Sequence, residues 1–155
     1  MNRWLVVSVW MLVAAVAGAY ARQRVVDHTH NTYMEQNIIR LTVNGGKTFT
    51  ATLADNRSAR ALKEQLAKGD ITVRMEDYGG MEKVGPLNTA LPRCDERIET
   101  APGDLILYQG RYFVIYYAAN VWSLTRLGKI DNVDGSGLKS ALGEGTVTVT
   151  LSLAH

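Results

Sequence analysis

Cysteine, histidine and proline are scarce in this chain of 155 residues, and each scarcity excludes something. Cys94 is the sole cysteine, so no intramolecular disulfide can form and stability must come from buried apolar surface. The three histidines are His28, His30 and His155, two close to the N-terminal end and one at the last residue. None falls inside the segment expected to fold. That removes histidine-based nucleophilic or acid–base catalysis and zinc sites built from histidine and cysteine. His28 and His30 share one face of an extended chain, but no third ligand clusters beside them, and they read as solvated linker residues. No phosphate-cradling loop is present, because Gly135-Ser136-Gly137 lacks the further glycine and the lysine that such a loop needs. No metal and no cofactor is therefore expected.

What is present begins with a leader. Met1-Asn2-Arg3 precedes an uncharged apolar run, Trp4 to Val16, and then Ala17-Gly18-Ala19-Tyr20-Ala21. One positive charge, an apolar core of about 7–15 residues and small residues at alternating positions are the parts of a signal peptide. Cleavage is expected before Arg22 (Ala19 and Ala21 at the small sites) or before Tyr20. A membrane anchor needs about 20 apolar residues, and this run is shorter, so no anchor is expected after cleavage. No cysteine follows the leader to carry a lipid. The expected division is a signal peptide over 1–21, a flexible linker over 22–37 and one domain over 38–153, exported to the periplasm or the medium. Arg3 is the leader's sole charge. Without it, 17 basic residues become 16 against 15 acidic, a net charge of +1. That balance gives no electrostatic case for nucleic acid.

From Ile38 the pattern is that of short strands. Ile38–Val43 and Lys47–Leu53 flank Asn44-Gly45-Gly46, a hairpin signal because asparagine and glycine tolerate positive φ. Phe49, Ala51 and Leu53 alternate with Thr48, Thr50 and Thr52, the period-two pattern of a half-buried strand. Asp55-Asn56-Arg57-Ser58 offers helix caps, Ala59, Leu62 and Leu66 share one helical face, and Gly69 stops the helix. Ile71–Glu76 alternates again. From Asp77 to Pro102 the chain reads as irregular, with Gly79-Gly80 and all three prolines, Pro86, Pro92 and Pro102. Strands are expected over Asp104–Tyr108, Arg111–Tyr117 and Ser123–Ile130, a short helix over Ser136–Leu142 closed by Gly143, and a last strand over Thr146–Leu153. Short connections argue antiparallel pairing. That many strands in so short a chain close into a barrel or pack as a sandwich, which removes exposed edges.

Two groups of side chains are candidates for chemistry. Glu76, Asp77 and Glu82 flank Gly79-Gly80, and Asp95, Glu96 and Glu99 lie near Arg93 and Arg97. They lack the spacing of a calcium loop; a carboxylate pair is the requirement for glycoside hydrolysis. The second group is aromatic: Tyr108, Tyr112, Phe113, Tyr116, Tyr117 and Trp122 crowd one hairpin and its exit. Tyr112, Val114 and Tyr116 face one way on their strand, and Phe113, Ile115 and Tyr117 the other. One face must be core; the other, lining a groove, would offer amphipathic rings suited to a peptide or small molecule.

The order of landmarks resembles the bacterial cyclophilin-like family, short relatives that share the cyclophilin barrel. The residues that carry it are Phe49–Leu53 with Asp55-Asn56, Met75-Glu76, Gly80, Glu82-Lys83 and Leu91-Pro92. They continue in Pro102–Tyr108, Tyr116-Tyr117, Ser123–Ile130 and Leu142-Gly143. The resemblance implies a mainly β fold: a closed antiparallel barrel of about eight strands with two short capping helices. Authentic cyclophilins place an arginine in a phenylalanine-histidine-arginine context, with a downstream phenylalanine-methionine-glutamine cluster, a tryptophan and a histidine. Here the comparable strand carries Arg74-Met75-Glu76 and no histidine. The resemblance therefore implies a binding module for a peptide or small molecule near Met75, Glu76, Tyr78, Glu82, Tyr116, Trp122 and Arg126. The alternative is a prolyl isomerase or folding helper with Arg74 as its catalytic candidate. The oligomeric state is left open.

Overall fold

The computed structural model describes residues 37–154. The expected signal peptide and the expected linker as far as residue 36 lie outside the described residues, as does His155. In what is described, hydrophobic alternation becomes nine strands and two helices. In chain order these are β1 (Ile38–Val43), β2 (Lys47–Leu53), α1 (Arg57–Leu66), β3 (Ile71–Tyr78), β4 (Glu82–Pro86) and β5 (Glu96–Glu99). They are followed by β6 (Asp104–Tyr108), β7 (Tyr112–Tyr116), β8 (Val121–Ile130), α2 (Gly135–Leu142) and β9 (Val147–Leu153). Asn44 and Gly45 sit at φ 49° and 69°, the left-handed pair that a tight β1–β2 hairpin demands.

Eight strands run in the order β2-β1-β9-β3-β4-β7-β6-β8, and β8 hydrogen-bonds back to β2, so the barrel is closed and antiparallel throughout. Closure brings Leu53 opposite Gly128. A Cβ on Gly128 would lie 2.4 Å from the Thr52 carbonyl oxygen, so only glycine lets the two strands meet. The first half of β8 runs beyond the closure and pairs with β5, the ninth strand.

The first helix starts at the cap the sequence offers, and the second starts at Gly135, one residue before the expected Ser136. Asn56 accepts from the Ala59 amide and its own amide donates to the Arg126 carbonyl at 2.7 Å, tying α1 to β8. Asp134 caps α2 through the Gly137 amide. Ala59, Leu62, Leu66, Leu138 and Leu142 turn inward from the two helices. The main core fills the barrel with Leu41, Val73, Met75, Leu107, Phe113, Ile115, Leu127 and Val149 among others. A second, smaller cluster lies on the outer face, where Ile106, Val114, Tyr116 and Leu124 pack with Met81, Val84 and Ile98.

The structure departs from the sequence reading between Asp77 and Pro102. That segment holds the end of β3, all of β4 and β5. Glu-Lys-Val-Gly-Pro shows no apolar alternation because its two charged residues are both buried, one on each face of β4. Strand count rises to nine for this reason.

Candidate functional site

The site is a consequence of period-two side-chain placement carried across four neighbouring strands. Register sets Tyr78 opposite Glu82, Glu82 opposite Tyr116, and Val84 opposite Val114. It also sets Ile106 opposite Val114 and Tyr108 opposite Tyr112. All of these emerge on the outer face, while Lys83, Phe113, Ile115 and Leu107 point into the barrel. Trp122, held opposite Ile98 by β5, stands at the far side. The result is a groove of about 410 Å³ with Val84, Val114 and Leu124 as its apolar floor. Tyr78, Tyr108, Tyr116, Trp122, Asn120 and Glu82 complete the lining. Tyr78 is 69% and Trp122 57% exposed, unusual for rings of this size and a mark of an unfilled surface.

Glu82 sits at the polar end of the groove. It is only 8% exposed, and its Oε2 has no hydrogen-bond partner among the described residues. Burial pushes its carboxyl above the usual glutamate range, an effect that the Tyr116 hydroxyl partly offsets. Burial likewise raises the Tyr116 phenol, helped by the adjacent Glu82. The amide of Asn120 donates to the Tyr116 hydroxyl at 3.2 Å, fixing the ring.

On the opposite face of β4 the next residue behaves differently. The Lys83 ammonium is wholly buried, 2.9 Å from Asp77 Oδ1, and donates to the Gly145 carbonyl at 2.6 Å. Asp77 also accepts from the Tyr117 hydroxyl at 2.9 Å and from the Gly145 amide at 2.8 Å. The Lys83 hydrogen bond holds the Asp77 carboxyl below the usual range. Burial first, and the Asp77 bond second, push the Tyr117 phenol up to about 12.

Of the residues proposed from the sequence, Tyr78, Glu82, Tyr116 and Trp122 are brought together as walls of the groove. Arg74 and Glu76 line an adjoining hollow of about 460 Å³, which shares Tyr78 and Val84 with the groove. Met75 differs from expectation: its parity turns it into the barrel, where it is fully buried core. Arg126 emerges on the outer side of β8, but its guanidinium is bound to Asp104 at 3.0 Å and it lines neither hollow. The carboxylates at 95–99 do not gather into a site. Asp95 is paired with Arg93 and accepts from Thr125, and both bonds hold it below the ordinary range. Sequence reasoning missed Val84, Leu124 and Asn120 as lining residues; β4 carried no readable alternation, and Asn120 lies in the connection between β7 and β8, where there is no periodicity.

Chemically, the groove holds one carboxyl, three phenols and an indole, with no nucleophile activated by a base. Among the described residues no group of histidine, cysteine, aspartate or glutamate could hold a metal ion.

The model of the cyclophilin-like family matches residues 41–152. No curated protein matches the sequence. Among solved structures, the chain is similar in fold to McbB, solved in complex with tryptophan, at 16% identity and a TM-score of 0.55 over 74% of the chain. It spans 44% of McbB's length. It is also similar to the hypothetical protein AF2241 from Archaeoglobus fulgidus, at 11% identity and a TM-score of 0.57, covering 77% of this chain and 95% of that one.

Proposed function

The chain belongs to the cyclophilin-like family, and we propose that within it this protein is an exported binding module that holds a small molecule or peptide segment in the outer-face groove. The leader over residues 1–21 supports export. The observation that carries the binding reading is the pair of exposed rings, Tyr78 and Trp122, standing over an apolar floor in a hollow of about 410 Å³. Concave, mostly apolar hollows with a few convergent polar groups are the common form of small-molecule sites. McbB, which this chain resembles in fold over 44% of McbB's length, was solved in complex with tryptophan, a small aromatic molecule.

Two measurements test the reading. Mass spectrometry of the secreted product should give a chain starting at Tyr20 or Arg22; an uncleaved cell-associated chain sinks the export half. A thermal-shift screen of small molecules and short peptides should find ligands whose effect disappears in Tyr78→Ala/Trp122→Ala. Ligands that stabilise that variant as much as the wild type would move the site elsewhere. A second reading, prolyl isomerisation, draws on Arg74 in the hollow that adjoins the groove. A protease-coupled proline-peptide assay decides it: turnover abolished by Arg74→Ala would replace binding with catalysis.

A further inference from the structure

Among the described residues, Glu82 Oε2 is the buried side-chain polar atom left without a hydrogen-bond partner. Its buried neighbours are accounted for. Lys83 is held by Asp77 and Gly145, Asp104 by Arg126 and the Ala101 amide, Thr125 by Asp95, and Ser58 by the Pro92 carbonyl. Glu82 differs from these in facing a groove rather than a packed interior. The groove also lacks any positive charge. β3 contributes Tyr78, β6 Tyr108, β7 Tyr116 and β8 Trp122 and Leu124, and no lysine, arginine or histidine is among the lining residues. Lys83 points away through the sheet, and Arg74 lies in the adjoining hollow.

A carboxyl at the base of an apolar, cation-free hollow is unfavourable alone. It becomes favourable when a ligand supplies the opposite charge and a donor for the free oxygen. Aromatic walls add to this preference, because the faces of tyrosine and tryptophan attract organic cations. From these features we infer that the groove selects a small organic cation, a protonated amine carried on a flat apolar body, with Glu82 as its counter-ion. The inference rests on the groove being the ligand site, as proposed above. Acidic ligands are repelled by the same carboxylate, and neutral ones, even with a hydroxyl to donate, supply no opposite charge.

The test compares two probes with the same body, 2-phenylethylamine and 2-phenylethanol, titrated calorimetrically into the full chain near neutral pH. The amine is expected to bind at least about tenfold tighter, the scale of one charge-assisted hydrogen bond. Glu82→Gln should erase the preference while circular dichroism and melting show an intact fold. Amine affinity should fall on acidification as Glu82 takes up a proton, and be flat over the same range in Glu82→Gln. Equal binding of the two probes, both weakened by Trp122→Ala, overturns the choice of a cation and leaves the groove as a site. Binding that ignores Trp122→Ala, or no binding by either probe, overturns the groove reading and this inference with it.

Discussion

Glu82 and Lys83 are consecutive residues, both buried and both ionisable, and the fold treats them in opposite ways. Lys83 points into the barrel, where Asp77 and the Gly145 carbonyl complete its shell. Glu82 points out of the barrel, where one carboxylate oxygen finds no partner among the described residues. The same division holds along β7: Phe113 and Ile115 belong to the barrel core, Val114 and Tyr116 to the outer cluster. An inner face under no functional demand is paired and filled. The outer face keeps a hollow, two exposed rings and an unpaired carboxyl, and such incomplete packing is what a ligand would complete.

The comparison can be broken most forcefully on β7. Phe113→Ala removes a fully buried ring from the closed core and is expected to cost about 3–5 kcal/mol in denaturant unfolding. Val114→Ala, one residue away on the groove floor, is expected to cost on the order of 1 kcal/mol, because solvent reaches the space it leaves. Equal losses would mean that the outer cluster is as much a core as the barrel interior.

Next in size is the buried pair. Asp77→Asn leaves the Lys83 ammonium without its counter-ion and is expected to cost about 2 kcal/mol, the lower end for a broken buried pair because Asp77 is partly solvated. Adding Lys83→Met to that variant should recover most of the loss; a double variant worse than the single one would contradict the pairing.

Glu82→Gln should act with the opposite sign, stabilising the fold by about 1 kcal/mol near neutral pH by removing a poorly solvated charge. The pH dependence follows from the directions of the two shifts. Glu82 is raised, so between the ordinary glutamate value and its folded value the native state binds more protons than the unfolded chain. Its contribution to stability therefore falls as pH rises through that window. Asp77 is lowered, so its contribution is present above the ordinary aspartate value and is lost as pH falls toward the folded one. Melting curves across the acidic range should show Glu82→Gln flattening the first trend and Asp77→Asn the second. A wild-type-like profile in either variant would remove that residue from the account.

The smallest expected effect on stability sharpens the comparison from the other side. Trp122→Ala, at a ring already more than half exposed, should change stability by within about 0.5 kcal/mol. A loss of several kcal/mol would make Trp122 a packing residue and not a groove wall.

Much of the fold was legible because its signals are local. Alternation from Thr48 to Leu53 and from Val147 to Leu153 marks strands, and Asn56 sits where a cap is needed. Gly69 follows the end of α1 and Gly143 caps α2. The family resemblance located the barrel correctly, and two strands, β4 and β5, were hidden because they carry charge where alternation should show. Four of the groove's walls were readable as an aromatic hairpin with its flanks. Met75 was readable as core from its alternation with Ile71 and Val73, and its placement at the site ran against that parity.

The sequence by itself determined that Tyr116 and Phe113 lie on opposite faces of one strand, and Glu82 and Lys83 on opposite faces of another, since a strand's side chains alternate whatever it pairs with. Only the tertiary structure decided which face is the interior. Both faces of β7 are apolar enough to be buried, and both faces of β4 carry a charge. The choice was made by closure of β8 onto β2 at Gly128, a contact between strands some seventy-five residues apart. Once that ring closes, one parity is sealed and must satisfy every polar group within it, while the other meets solvent and can leave a carboxyl waiting.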